Sequence, residues 1–125
     1  MLRALRAFGL LVFAIGGVAG SGVALAAAPL LYVTNQTENS VLVIDTARDA
    51  KVATLNVAPG PAMITAAPGG RRIYITHPEA GQITVLDGQQ IGAPKVLEVS
   101  GAPFGIAAAS DGRLFVSDWN RNLLL

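Results

Sequence analysis

Leu31-Tyr32-Val33-Thr34-Asn35 aligns with Ile73-Tyr74-Ile75-Thr76-His77 and again with Leu114-Phe115-Val116-Ser117-Asp118. Tyr32 and Tyr74 lie 42 residues apart, and Tyr74 and Phe115 lie 41 apart. A second landmark keeps the same period: Ser40-Val41-Leu42-Val43-Ile44-Asp45 and Gln82-Ile83-Thr84-Val85-Leu86-Asp87 follow the first two copies, and Asn122-Leu123-Leu124-Leu125 follows the third. A third landmark matches Pro61-Ala62-Met63-Ile64-Thr65-Ala66-Ala67-Pro68-Gly69-Gly70 to Pro103-Phe104-Gly105-Ile106-Ala107-Ala108-Ala109-Ser110-Asp111-Gly112. Several landmarks on one period make an internal repeat, the signature of solenoid and propeller architectures.

Each unit reads as short strands joined by turns. Met63 to Ala67 is small and apolar and ends in Pro68-Gly69-Gly70. Arg72 to Thr76 is β-branched and aromatic, and Gln82 to Leu86 runs into the turn pair Asp87-Gly88. Lys95 to Val99 alternates polar and apolar residues, the pattern of a half-exposed outer strand. Ser110-Asp111-Gly112 supplies the positive φ of a tight hairpin. Four short strands in about 42 residues make one β-propeller blade. The expected fold is all-β, with blades of four antiparallel strands. About two and a half blades are expected, after an N-terminal signal helix. Beyond that leader, β-branched residues, Gly and Pro interrupt every window long enough for a helix.

The four letters at Tyr32-Val33-Thr34-Asn35 resemble the motif that names the YVTN-type β-propeller repeat proteins. Pro103-Phe104-Gly105-Ile106-Ala107, the Ser110-Asp111-Gly112 turn and Asn39-Ser40-Val41-Leu42-Val43-Ile44-Asp45-Thr46 fit that family's unit as well. The resemblance covers Leu31 to the C-terminus. It implies surface-layer or periplasmic relatives, some beside quinoprotein or cytochrome systems, and more distant seven-bladed sugar lactonases. A closed ring of that kind needs roughly seven blades, or roughly 300 residues. Residues 27–125 supply units at about 31–60, 61–102 and 103–125, and only Pro29-Leu30 precede the first strand. The expectation is therefore an N-terminal piece of a longer propeller.

Outward from the repeat, residues 1–26 read as a secretory signal peptide. Arg3 and Arg6 precede an apolar run, and Ala24-Leu25-Ala26 forms a small-x-small site with cleavage expected after Ala26. A retained anchor is the competing reading, because no charge occurs between Arg6 and Glu38. Gly9, Gly16, Gly17, Gly20 and Gly22 dilute that run, and no basic cluster follows it. The expected address is periplasmic or extracellular. The whole chain carries a formal net charge of +1, whereas seven basic and eight acidic side chains follow Ala26. With no block of like charge, no nucleic-acid partner is expected. There is no cysteine, hence no disulfide or thiolate metal site.

In a propeller, the loops between second and third strands and the loops entering each inner strand open on one face, where ligands bind. The repeat puts Asn35, His77 and Asp118 at equivalent positions there. Trp119 and Arg121 complete the expected ligand-binding rim. These polar positions either read a ligand or cap their own loops. His77 is the only histidine and is expected as an exposed loop residue, since Glu79 alone beside it falls far short of a metal set. Trp119 can stack on a planar ligand or pack between blades. Asp45 and Asp87 recur once per unit and read as turn caps. No P-loop and no Gly-x-Ser-x-Gly elbow occurs.

No catalytic residue, metal or cofactor is expected. The reading is a non-catalytic binding or scaffolding module for a protein partner or a small ligand. Further partners are the remaining propeller blades or a second copy, with membrane contact only through the signal before cleavage. The alternatives are a lactonase-like hydrolase, or an accessory protein of a periplasmic quinoprotein or cytochrome system.

Overall fold

The computed structural model describes residues 29–125, and the signal segment with its Ala26 site lies outside the described residues. The described chain forms three antiparallel sheets, one per repeat unit. In the first, β1 (Leu30–Asn35), β2 (Ser40–Asp45) and β3 (Ala50–Asn56) pair in chain order. The middle sheet is the four-stranded blade the spacing predicts, with β4 (Ile64–Ala66), β5 (Arg72–His77), β6 (Gln82–Asp87) and β7 (Lys95–Glu98). The last consists of β8 (Pro103–Ala108), β9 (Leu114–Asp118) and the short β10 (Leu123–Leu124). The Pro68–Gly70 turn closes as a 3-10 turn, and Gly112 sits at φ 89° in the Ser110-Asp111-Gly112 turn. Every residue of β7 is exposed, where alternation suggested a half-buried strand. It is an edge strand, paired on one side only, with β6.

Register repeats along with sequence. Leu31 pairs with Ile44 and Tyr32 with Val43, just as Ile73 pairs with Leu86 and Tyr74 with Val85. Because side chains alternate, each blade carries two different faces. The back face is aliphatic (Ile73, Ile75 and Leu86 in the middle blade). It packs on the front of the preceding blade, against Val41, Tyr32 and Leu55. The front of the middle blade, with Tyr74 and Ile83, packs in turn on Val116, Ile106 and Leu114 of the last blade. Burying each such side chain stabilises the array by roughly 1.5–3 kcal/mol. The Tyr32 hydroxyl donates to the Asp87 carbonyl at 3.2 Å, which ties the first blade to the middle one. Burial, and then the charge of Asp87, holds this phenol above its ordinary pKa.

The Thr of the repeated motif is a pin. Thr76 Oγ1 accepts the Met63 amide at 3.1 Å and donates to the Phe104 carbonyl of the next blade at 2.7 Å. Ser117 accepts the Gly105 amide at 2.9 Å in the same way, at a bulge in β8. A left-handed residue also recurs just before each third strand: Asn39 at φ 51°, Gly81 at 63° and Asn122 at 51°. Gly and Asn are the residues that tolerate that region. From there, the carbonyls of Asn39 and Gly81 accept the amides of Val57 and Val99 at 3.0 and 2.9 Å. In the first two blades the loop between second and third strands is thereby tied to the chain leaving its own blade.

Candidate functional site

The loops at one end of the blades converge as the propeller reading requires, and they enclose a cleft of about 330 Å³. Gln36, Pro78, Glu79, Trp119 and Asn120 come from the loops between second and third strands. Gly60, Ala62, Ala102 and Phe104 come from the segments entering the inner strands. Trp119 is 62% exposed, and its ring meets that of Phe104 edge-on, with centroids 4.3 Å apart and an interplanar angle of 69°. Such T-shaped pairs are favourable and stiff. The Trp119 amide also donates to the Ala102 carbonyl at 2.9 Å, which fixes the backbone beneath the ring. Glu79 is the one charged side chain in the lining, and it lies over Gly60.

The residues expected on the rim behave differently from one another. Asn35 turns back on its own loop. Its side chain accepts the Glu38 amide and donates to the Glu38 carboxylate, both at 3.2 Å.

His77 corrects the expectation of an exposed loop histidine, for it has no exposed surface at all. Its Nδ1 lies 3.3 Å from the Pro59 carbonyl, and its Nε2 lies 2.8 Å from Thr84 Oγ1. A carbonyl can only accept, so Nδ1 carries the proton and Nε2 receives the Thr84 hydroxyl in the neutral ring. Burial holds the His77 pKa below the ordinary histidine value, against the opposing pull of the Pro59 and Ala58 carbonyls. Both ring nitrogens are engaged, and the ring braces the loop that enters its own blade.

Asp118 does the same work with different chemistry. It is buried, and its Oδ1 accepts the amides of Asn120 and Arg121 at 2.9 and 3.0 Å. Its Oδ2 takes the Arg121 guanidinium at 2.8 Å, and Arg121 reaches on to the Ser100 carbonyl. Burial pushes the Asp118 carboxyl up, but the hydrogen bonds from Arg121 and Asn120 outweigh it and leave the pKa below the ordinary value. Gly101 is required alongside, since a Cβ there would overlap the Asp118 carboxylate and the Arg121 guanidinium. Asp45 and Asp87 cap their turns by accepting amides two and three residues on, at 2.8 to 3.3 Å.

Of the expected rim, Trp119 alone lines the cleft. The lining residues that were not expected (Gln36, Pro78, Glu79, Asn120 and Phe104) sit one or two positions further along each loop, or at the start of an inner strand. Strand alternation carries the signal. The last residue of the second strand turns toward the entering loop, so the next residues are the ones that open outward. Among the described residues, no group of three His, Cys, Asp or Glu side chains comes together as a metal site.

With this geometry in view, comparison with known proteins defines the fold. No family model matches the chain. The curated proteins named "Uncharacterized protein YncE" of Salmonella typhi and Salmonella typhimurium are each 30% identical over 87 residues, which is 69% of this chain and 24% of theirs. The chain thus spans about a quarter of the length of these relatives. Among solved structures, Kuenenia stuttgartiensis hydrazine synthase is similar with a TM-score of 0.61 and 24% identity, over 82% of this chain and 33% of that one. Dihydro-heme d1 dehydrogenase NirN in complex with DHE is similar with a TM-score of 0.65 and 20% identity, over 78% of this chain and 21% of that one. These blades are β-propeller blades. The likenesses extend to the fold and leave the chemistry to the cleft.

Proposed function

We propose that this chain is an exported, non-catalytic binding module of the YVTN type whose cleft takes a small organic cation with an apolar face. The observation that carries this reading is the exposed Trp119 ring, stiffened by Phe104 on the wall of a cleft whose one charged group is Glu79. An aromatic face attracts a cation by its quadrupole, and a nearby carboxylate adds charge complementarity. Gln36 and Asn120 supply amide donors and acceptors at the edge. Glu79 has no second carboxylate in the lining, and His77 has neither ring nitrogen free, so the cleft offers a place to bind and no acid–base pair.

Trp119 is the only tryptophan, which makes its fluorescence a direct reporter. A phenyltrimethylammonium titration is expected to quench it saturably, with tert-butylbenzene derivatives of no charge binding about tenfold more weakly and benzoate not at all. Glu79→Gln should weaken the cation about tenfold and leave the neutral probe unchanged. Equal response to cation and benzoate, or no saturation with either, would sink the reading.

A further inference from the structure

We propose that His77 makes the cleft acid-sensitive: with the ring neutral the cleft walls are held together and a cation binds, and with the ring protonated they part and the cation is released. The proposal rests on the reading of the cleft as a cation site and adds its regulation. His77 stands outside the lining and joins both walls. Pro78 and Glu79, which follow it, belong to one wall, and Gly60, which follows its partner Pro59, belongs to the other. Glu79, the charged group of the lining, packs over Gly60, where a Cβ would stand 3.6 Å from its carboxylate. The ring nitrogen that meets the Pro59 carbonyl at 3.3 Å therefore keeps in register the two segments between which that carboxylate is placed.

The surroundings suit a neutral ring. Nδ1–H donates to Pro59 and Nε2 accepts from Thr84 at 2.8 Å, so a proton added at Nε2 meets the hydroxyl hydrogen already there. The Thr84 hydroxyl can turn and accept instead, but the new charge finds no counter-ion. Residues 56–62 and β6 from Gln82 to Leu86 carry no ionisable side chain. Arg72 on its own strand, and Asp45 and Lys51 in the first blade, lie at the opposite end of the sheets. Of the charged groups at the same end, Glu38 is held by Asn35, Glu98 by Gln82 and Arg121 by Asp118, and Glu79 is turned over Gly60. The ring is fully buried, and a buried unpaired charge is relieved by moving toward water. In doing so it leaves Pro59 and carries the Pro78-Glu79 loop with it. A charge at His77 also opposes a cation held by Glu79, two residues on. Burial already holds this ring below the ordinary histidine pKa, so the change falls in mild acid. The other loops lack the device: Asn35 does not titrate, and Asp118 is paired with Arg121.

Two measurements on the full chain test this. His77 is the single histidine and Trp119 the single tryptophan, so ring resonances and fluorescence each report one site. In the first, the ring is titrated by NMR while the amides of Gly60 and Glu79 are followed, and circular dichroism checks that the sheets persist. Both amides are expected to shift with the ring's own midpoint. In the second, phenyltrimethylammonium is titrated by Trp119 quenching. Its dissociation constant is expected to rise at least roughly fivefold from about pH 7.5 to about pH 5, and by no more than about tenfold per pH unit, the limit for one linked proton. By reciprocity, saturating probe should move the ring's midpoint to lower pH by the same factor, a reading that needs no variant. His77→Asn keeps an amide donor for Pro59 and cannot titrate, so the excess slope should vanish there. Glu79 remains in that variant, and whatever slope it adds is common to both proteins. Amides that ignore the ring, sheets that are lost as the ring is protonated, or an equal slope in His77→Asn would overturn the proposal. Amides that follow the ring with no probe bound at any pH would uphold the gating motion and sink the cation reading instead.

Discussion

Ile83 and Leu124 occupy the same place in consecutive blades, yet one is 1% exposed and the other 69%. Both follow a left-handed residue, Gly81 or Asn122, and both sit second in a third strand. Local sequence is therefore equivalent, and the difference comes from what lies in front. Ile83 is covered by Val116 and its neighbours in the last blade, whereas nothing among the described residues covers Leu124. In a repeat array, burial is conferred by the adjacent unit, and stability resides largely in the interfaces. The same side-chain type at the same register can be core in one blade and surface in the next.

The largest expected effect tests that statement directly. Ile83→Ala removes a fully enclosed aliphatic side chain between two blades, and it should lower the unfolding free energy by about 2–4 kcal/mol. Chemical denaturation monitored by circular dichroism gives the value. A loss below about 1 kcal/mol would mean that the two blades are less tightly coupled than their packing implies.

The contrast between blades also explains what could be read from the sequence. The period, the strands and the turn caps at Asp45 and Asp87 are local, so pattern and turn chemistry suffice to find them. His77 was not legible in this way. It ends a strand in a polar setting, and its burial depends on Pro59, which belongs to the segment linking two blades. Asp118 shares the repeat position and braces the corresponding segment through Arg121 and Ser100, with entirely different atoms. Variation at this position reflects two ways of bracing one loop, and it imitates the variation of a ligand-reading rim. Trp119 was legible as a candidate, but its contact with Phe104 requires the bulge that brings β8 beneath the loop.

The next effect in size distinguishes those two braces. His77→Ala leaves the Pro59 carbonyl and the Thr84 hydroxyl without their partner, and it should cost about 1–3 kcal/mol. The unaltered protein should also carry a pH signature. The folded ring holds its pKa below histidine's ordinary value of 6.5, so the unfolded chain binds the extra proton first. The stability from this site is fully present above about pH 6.5, and it declines as pH falls through that value toward the folded-state pKa. Asp118, whose carboxyl is also held low, contributes above its own ordinary value of 3.8 and fades only in stronger acid. Between about pH 7 and 5 the slope belongs to the histidine brace. Denaturation midpoints across that range should fall in the unaltered protein and stay nearly level in His77→Ala. An equal slope in both would remove the ring from the account.

The smallest effect completes the comparison with which Ile83 began. Leu124→Ala deletes the same kind of aliphatic surface from the equivalent position, and measured at low concentration it should change the unfolding free energy by no more than about 0.5 kcal/mol. Denaturation of the unaltered chain and of Leu124→Ala side by side reads that change. A cost close to that of Ile83→Ala would mean that strand position, and not the covering blade, sets the energetic weight of an aliphatic side chain in this array.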